Sequence, residues 1–253
     1  MRLLFTIQYL GTHYAGWQRQ SNAISVQEVV ETALSELCKQ PMRVEGAGRT
    51  DAGVHALAQR AHADLPIAAD SRGIILGVNN LLPHDIRIVA ARPVAGDFHC
   101  RFAPSSKSYR YAIWNDPVAD VFHFETSAYV AQPLDAELMN RAAAMLVGRH
   151  DFRAFTVLAP EVSSTVRTIS RAAVMRDGRN VLFTVAADGF LRFMVRRIAG
   201  LLIEIGRGRL PVEALGDALE PRFFPSRWAA PAKGLTLVEI TYSDLGSGPD
   251  SLC

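Results

Sequence analysis

Two stretches of this 253-residue chain carry the same succession of strand-like and helix-like patterns, and that repetition limits the fold more than any other feature does. In the first stretch, residues 3–9 read as a strand, and Ser25-Val26-Gln27-Glu28 forms a capping box opening a helix that runs to about 40. Residues 42–46 and 58–65 read as strands, 71–82 as a helix and 85–91 as a strand. In the second stretch, 108–114 is a strand and 135–147 a helix stopped by Gly148. Strands 166–176 and 180–187 are joined by the hairpin signal Asp177-Gly178, and an apolar helix 190–205, a short helix 212–219 and a closing strand 235–242 follow. Each half reads β-α-β-β-α-β, the order of a ferredoxin-like unit whose antiparallel sheet is covered by helices. The expected fold class is α+β: two such halves forming one extended, mostly antiparallel sheet with helices on one face and a central active-site cleft. Pro93, Gly96 and Pro104 mark a junction, so domains are expected at 1–100 and 101–253.

With 49% hydrophobic residues the chain can bury a full core. It has no apolar run of about 18 residues, and its start, with Arg2 and Gln8, does not read as a signal peptide, so no membrane span is expected. Cys38, Cys100 and Cys253 are odd in number, distant from one another and outside any Cys-x-x-Cys pair, which points to a reducing compartment and a cytoplasmic protein. A net charge of +2 demands no polyanionic partner. The distribution is more pointed, because 24 of the 27 basic residues are Arg, whose planar fork matches phosphate and carboxylate. Residues 101–111 hold Arg101, Lys107 and Arg110 with no acid, and 192–209 hold five Arg against Glu204 alone. Such patches are an electrostatic footprint for nucleic acid or, equally, a solvated face.

Chemistry concentrates in Gly46-Ala47-Gly48-Arg49-Thr50-Asp51-Ala52-Gly53-Val54-His55, where a carboxylate stands beside a guanidinium in a glycine-rich loop. A phosphate-cradling Gly-x-Gly-x-x-Gly is not completed, since Asp51 takes the third position and would repel phosphate. A tight turn with an exposed Arg49–Asp51 pair is the plain alternative to a site. The seven histidines show no i, i+4 pair and no Cys/His cluster, so no metal is expected. His55 reads as a hydrogen-bonding support rather than a base. In the first loop His13, Tyr14, Trp17, Gln18 and Arg19 mix aromatics and donors, as an RNA contact surface would.

With these residues in view, the chain resembles the TruA family of tRNA pseudouridine synthases over nearly its whole length. Arg49-Thr50-Asp51-Ala52-Gly53-Val54-His55 is similar to that family's catalytic-aspartate motif. Asn80-Leu81-Leu82-Pro83 before Asp85-Ile86, Lys107 with Tyr109-Arg110-Tyr111, and Gly148-Arg149-His150-Asp151-Phe152 follow in the family's order, as do Met194-Val195-Arg196 and Ala232-Lys233-Gly234-Leu235. The resemblance implies that Asp51 is the catalytic carboxylate, that Tyr109 packs against the target base, and that Arg196 pairs with Asp51 to keep it ionised. Arg49 would bind the tRNA backbone or help extrude the nucleotide. It further implies action on uridines 38, 39 and 40 of the tRNA anticodon arm, a homodimer, and no cofactor or metal. The chain departs at Arg197, where a polar Asn is expected, and in its short polar tail after Tyr242.

The expected reaction breaks the C1′–N1 bond, turns the detached uracil and joins C1′ to C5. Asp51 could add to C1′ as a nucleophile or take a proton from C2′. Either role needs an ionised carboxylate in a dry site, and a guanidinium within about 4 to 6 Å counters the rise in pKa that burial brings. A stacked uridine must first be flipped out, at a few kcal/mol, and a Tyr109 ring returns about 1 to 3 kcal/mol by stacking. Read alone, Tyr109 is a strand's core residue and Arg196 a helix residue snorkelling from an apolar face. Two other classes compete. A tandem RNA-recognition module lacks its defining octapeptide in both halves, and a nucleoside hydrolase lacks its Asp cluster.

Overall fold

Strand β1 (Arg2–Tyr9) is buried from Leu3 through Ile7, Thr6 included, because it is paired on both sides, by the strands His55–Asp64 and Ile86–Pro93. The computed structural model describes residues 1–66, 70–157, 163–220 and 229–243, so Cys253 and the polar tail from residue 244 on lie outside the described residues. The chain is α+β, with ten strands paired mostly antiparallel and five α-helices among the described residues. It divides into two compact units, Met1–Ser105 with the last strand from Leu237 onward, and Ser106–Thr236.

In the first unit α1 (Val26–Cys38) follows β1, then β2 (Glu45–Gly46), β3 (His55–Asp64), α2 (Ser71–Leu81) and β4 (Ile86–Pro93). Ser25 caps α1 by accepting from the Glu28 N–H at 3.3 Å, as its capping-box sequence requires, and the apolar face Val26, Val30, Ala33 and Leu34 is buried. Asp70 caps α2 in the same way through Gly73 N. Close approach of α1 and α2 depends on Gly77, where a Cβ would stand 2.9 Å from a Leu37 methyl. Antiparallel β1 lies between β4 and β3, and β10 (Leu235–Tyr242) follows β3 in the strand order. From Leu237 on, the last strand therefore packs with the beginning of the chain: the Tyr242 hydroxyl donates to the Cys100 carbonyl at 3.0 Å, and Phe98 meets the Tyr242 ring edge-on at 5.4 Å. The expected strand at 42–46 shrinks to β2, and residues 55–57, expected in the loop, already belong to β3.

In the second unit β5 (Pro104–Asn115) pairs with β9 (Asn180–Ala187), which continues through β8 (Val166–Asp177) to β7 (Gly148–Asp151). The short β6 (Ala128–Val130) runs parallel to β5. Gly178, at φ +56, makes the expected β8–β9 hairpin turn. Gly148 takes φ +116 but opens β7, while Met145 ends α3 (Ala136–Ala144). Helix α4 (Met194–Gly206) starts four residues later than its apolar pattern indicates, because Phe193 turns left-handed at φ +62. It packs on α3 at Gly206, where a Cβ would meet Met139 Sδ at 2.6 Å; α5 (Glu213–Leu219) follows. No helix among the described residues is long and apolar enough to cross a membrane.

Candidate active site

The loop between β2 and β3 is held along its whole length. Ala47 N donates to the Arg60 carbonyl at 2.8 Å, and Gln59 Nε2 donates to the Gly48 carbonyl at 3.0 Å. Thr50 is buried, its hydroxyl 2.9 Å from the Tyr9 hydroxyl and its carbonyl accepting from Trp17 N at 3.1 Å. Asp51, half-buried, accepts from Val54 N through its carbonyl at 3.1 Å, and Gly53 at φ +76 completes the turn. A shift of register between Ile7 and Tyr9 accompanies the placing of the Tyr9 ring under Thr50. Burial raises the Tyr9 hydroxyl to about 12, so it stays a neutral partner for Thr50 at assay pH.

The long first loop is the other half of this clamp. Gly16, at φ +90, lies so close that a Cβ would sit 2.4 Å from the Thr50 carbonyl oxygen, and a Cβ on Gly11 would sit 2.0 Å from that of Val54. His55 is buried, and its Nδ1 accepts from Gly11 N at 2.9 Å, the supporting role expected of it. Trp17 is 1% exposed, against Gly46, and Tyr14 is 9% exposed with its hydroxyl on Asp85 at 2.8 Å. These two aromatics are thus packing for the Asp51 loop, a correction to their reading as RNA contact surface. Only the neighbouring polar residues stay outside. Gln18 is exposed and accepts from Arg49 Nε at 3.2 Å, and Arg19 pairs with buried Glu31 at 3.0 Å.

Tyr109, Arg196 and Arg197 belong to the second unit. Tyr109, on β5 opposite Val185, is half-buried, and its ring meets Phe190 edge-on at 5.0 Å. Arg196, in the first turn of α4, donates through Nε to the Ala230 carbonyl at 2.9 Å and lies over the Phe193 ring at 5.3 Å. Beside it, the Tyr111 hydroxyl donates to the Pro231 carbonyl at 2.8 Å, and burial pushes that hydroxyl's pKa up against the opposing charge of Arg196. Arg197, the departure noted in the sequence, turns to the Thr156 carbonyl, and burial lowers its guanidinium pKa.

Comparison with known proteins decides what this arrangement belongs to. The family model described as tRNA pseudouridine synthase matches residues 6–103 and 142–243. The chain belongs to the tRNA pseudouridine synthase family. A protein of Pseudoalteromonas translucida (strain TAC 125) named tRNA pseudouridine synthase A is 40% identical over 245 residues, covering 96% of this chain and 93% of that protein. Proteins of the same name from Idiomarina loihiensis and Pseudomonas aeruginosa are 41% and 39% identical, covering 99% and 95% of this chain and 97% and 85% of the relatives. As a tRNA pseudouridine synthase the chain is an RNA isomerase that moves uracil from an N1 to a C5 linkage, and its substrate is tRNA. The sequence reading of this synthase named Gln18 but missed its link through Gln27 to buried Glu31. Glu31 shares its helix with Gln27 at i, i+4, but an acid on an amphipathic helix reads as a solvated side chain until the fold buries it.

Proposed function

We propose that this chain, in the cytoplasm and as a homodimer, converts uridine to pseudouridine at positions 38, 39 and 40 of the tRNA anticodon arm, with Asp51 as the essential carboxylate. The observation that carries the reading is the clamp on Asp51: the preceding Thr50 is fixed to Tyr9 and Trp17, and the Asp51 carbonyl itself is fixed by the turn to Val54 N. A surface turn needs no such buried support, whereas a carboxylate that must meet one ribose carbon does. In this reading Arg196 pairs with Asp51 and keeps it ionised, and Tyr109 stacks on the flipped uracil. Arg49, exposed beside the aspartate, takes the tRNA backbone. The rigid setting of both groups supports these roles, since Phe190 orients the Tyr109 ring and Ala230 with Phe193 fixes the Arg196 guanidinium.

Replacing Asp51 by Asn keeps the size and removes the charge. Turnover on tRNA labelled with tritium at uracil C5 is expected to fall below detection while tRNA binding stays within about twofold of the parent, since a kcat loss without a KM loss marks a group used in the transition state. Tritium release by Asp51→Asn at a measurable fraction of the parent rate would refute the assignment.

A further inference from the structure

A chain of side-chain hydrogen bonds runs from a buried carboxylate to the exposed Arg49. Glu31, 2% exposed, accepts from Val44 N at 3.1 Å and from Gln27 Nε2 at 3.3 Å. Gln27, 8% exposed, also gives Nε2 to the Val44 carbonyl at 2.8 Å, and its Oε1 accepts from Arg19 N at 2.9 Å. A carbonyl can only accept and a backbone N–H can only donate, so these partners leave the Gln27 amide one orientation. Its Oε1 then requires a donor from Gln18, which supplies Nε2 at 2.9 Å and turns its own Oε1 to Arg49 Nε at 3.2 Å. Both amides are ordered in series, and the order ends at the guanidinium.

We propose that Gln18 is a positioning residue for tRNA binding: its amide, oriented through Gln27 by buried Glu31, holds Arg49 by Nε and leaves the two terminal nitrogens as a fork for an RNA phosphate. Among the described residues Arg49 makes its one hydrogen bond through Nε, the atom that a bidentate phosphate contact through the terminal nitrogens does not use. An unrestrained arginine gives up much rotamer freedom on binding, and Gln18 removes part of that loss beforehand. The inference rests on the reading of Arg49 as a tRNA-backbone residue and adds the device that aims it.

The test is a double-mutant cycle on the full-length protein, with unmodified tRNA transcript as the probe and both Kd and steady-state constants as readouts. Arg49→Ala is expected to weaken tRNA binding about tenfold and to lower the slope of log K against log salt by about one. Gln18→Leu, an exposed site where folding is not at stake, is expected to weaken binding about fivefold, the loss falling on KM rather than kcat. The double variant is expected to bind no worse than Arg49→Ala alone. Gln27→Met is expected to reproduce the Gln18→Leu effect, with circular dichroism confirming the fold. Losses from Gln18→Leu and Arg49→Ala that multiply would overturn the inference, since Gln18 would then act on RNA by itself; parent-like binding by Gln18→Leu would overturn it too. Parent-like binding by Arg49→Ala would instead remove the reading of Arg49 beneath it.

Discussion

Gly16 shows how much of this protein's chemistry depends on atoms that are missing. Its φ of +90 and the 2.4 Å that would separate an added Cβ from the Thr50 carbonyl leave no side chain room beside the Asp51 loop. Gly16→Ala is expected to cost about 2 to 4 kcal/mol, adding left-handed strain to overpacking. Thermal melts should show a fall in Tm of several degrees. Turnover should fall further than stability requires, because the atom displaced is the carbonyl next to Asp51; a variant with parent-like kcat would show that the loop tolerates the shift. At this scale the sequence was informative about the motif and less so about its supports. Asp51, Arg49 and His55 stand together in one decapeptide, whereas Tyr9, Trp17 and Gln59 join it only by folding, and Trp17 read as surface because aromatic residues in a polar loop look the same whether they meet RNA or fill a wall.

Helix α4 was legible as an apolar helix but not in its start. The hydrophobic period continues back to Phe190, yet the backbone breaks at Phe193, whose left-handed φ of +62 costs a non-glycine residue about 1 to 2 kcal/mol. Its ring lies under two guanidiniums, Arg192 at 4.7 Å and Arg196 at 5.3 Å, contacts worth about 0.5 to 1 kcal/mol each. These figures are close enough to cancel. Phe193→Gly is therefore expected to leave the denaturation midpoint within about 1 kcal/mol of the parent while lowering kcat, because Arg196 loses the surface that sets it. Retained kcat would mean that the Phe193 ring is not what sets Arg196. Strands β6 and β7 went unread for a different reason: at three and four residues they are too short for alternation to stand out from a loop.

Over the whole molecule, pH reports on the packing of the first unit. His62 is buried beside Cys100, with Nδ1 3.2 Å from Sγ, and burial together with the nearby charge of Arg2 holds its pKa below the ordinary 6.5. The unfolded chain thus takes up a proton that the folded protein resists. The stabilisation is present in full above about pH 6.5 and is lost as pH falls through the folded value. Urea melts from pH 7.5 to 5 should show this decline, and His62→Gln should flatten it. Asp64, held low by its hydrogen bond from Arg2, titrates only at more acid pH and does not blur the window. A decline of equal size in His62→Gln would assign it elsewhere. The family, the α+β class and the motif loop follow from the sequence alone, because capping, hydrophobic period and glycine placement are local and each acts within a few residues. Tertiary structure decided which strand the chain's last segment joins, which aromatic is wall and which acid is buried. From Leu237 on, β10 packs with the first unit, although the 131 residues 106–236 separate it from that unit's first stretch, which ends at Ser105. Alternation marks a strand but carries no address for its neighbour, which is chosen by the apolar surface and unpaired backbone groups that only the assembled core presents.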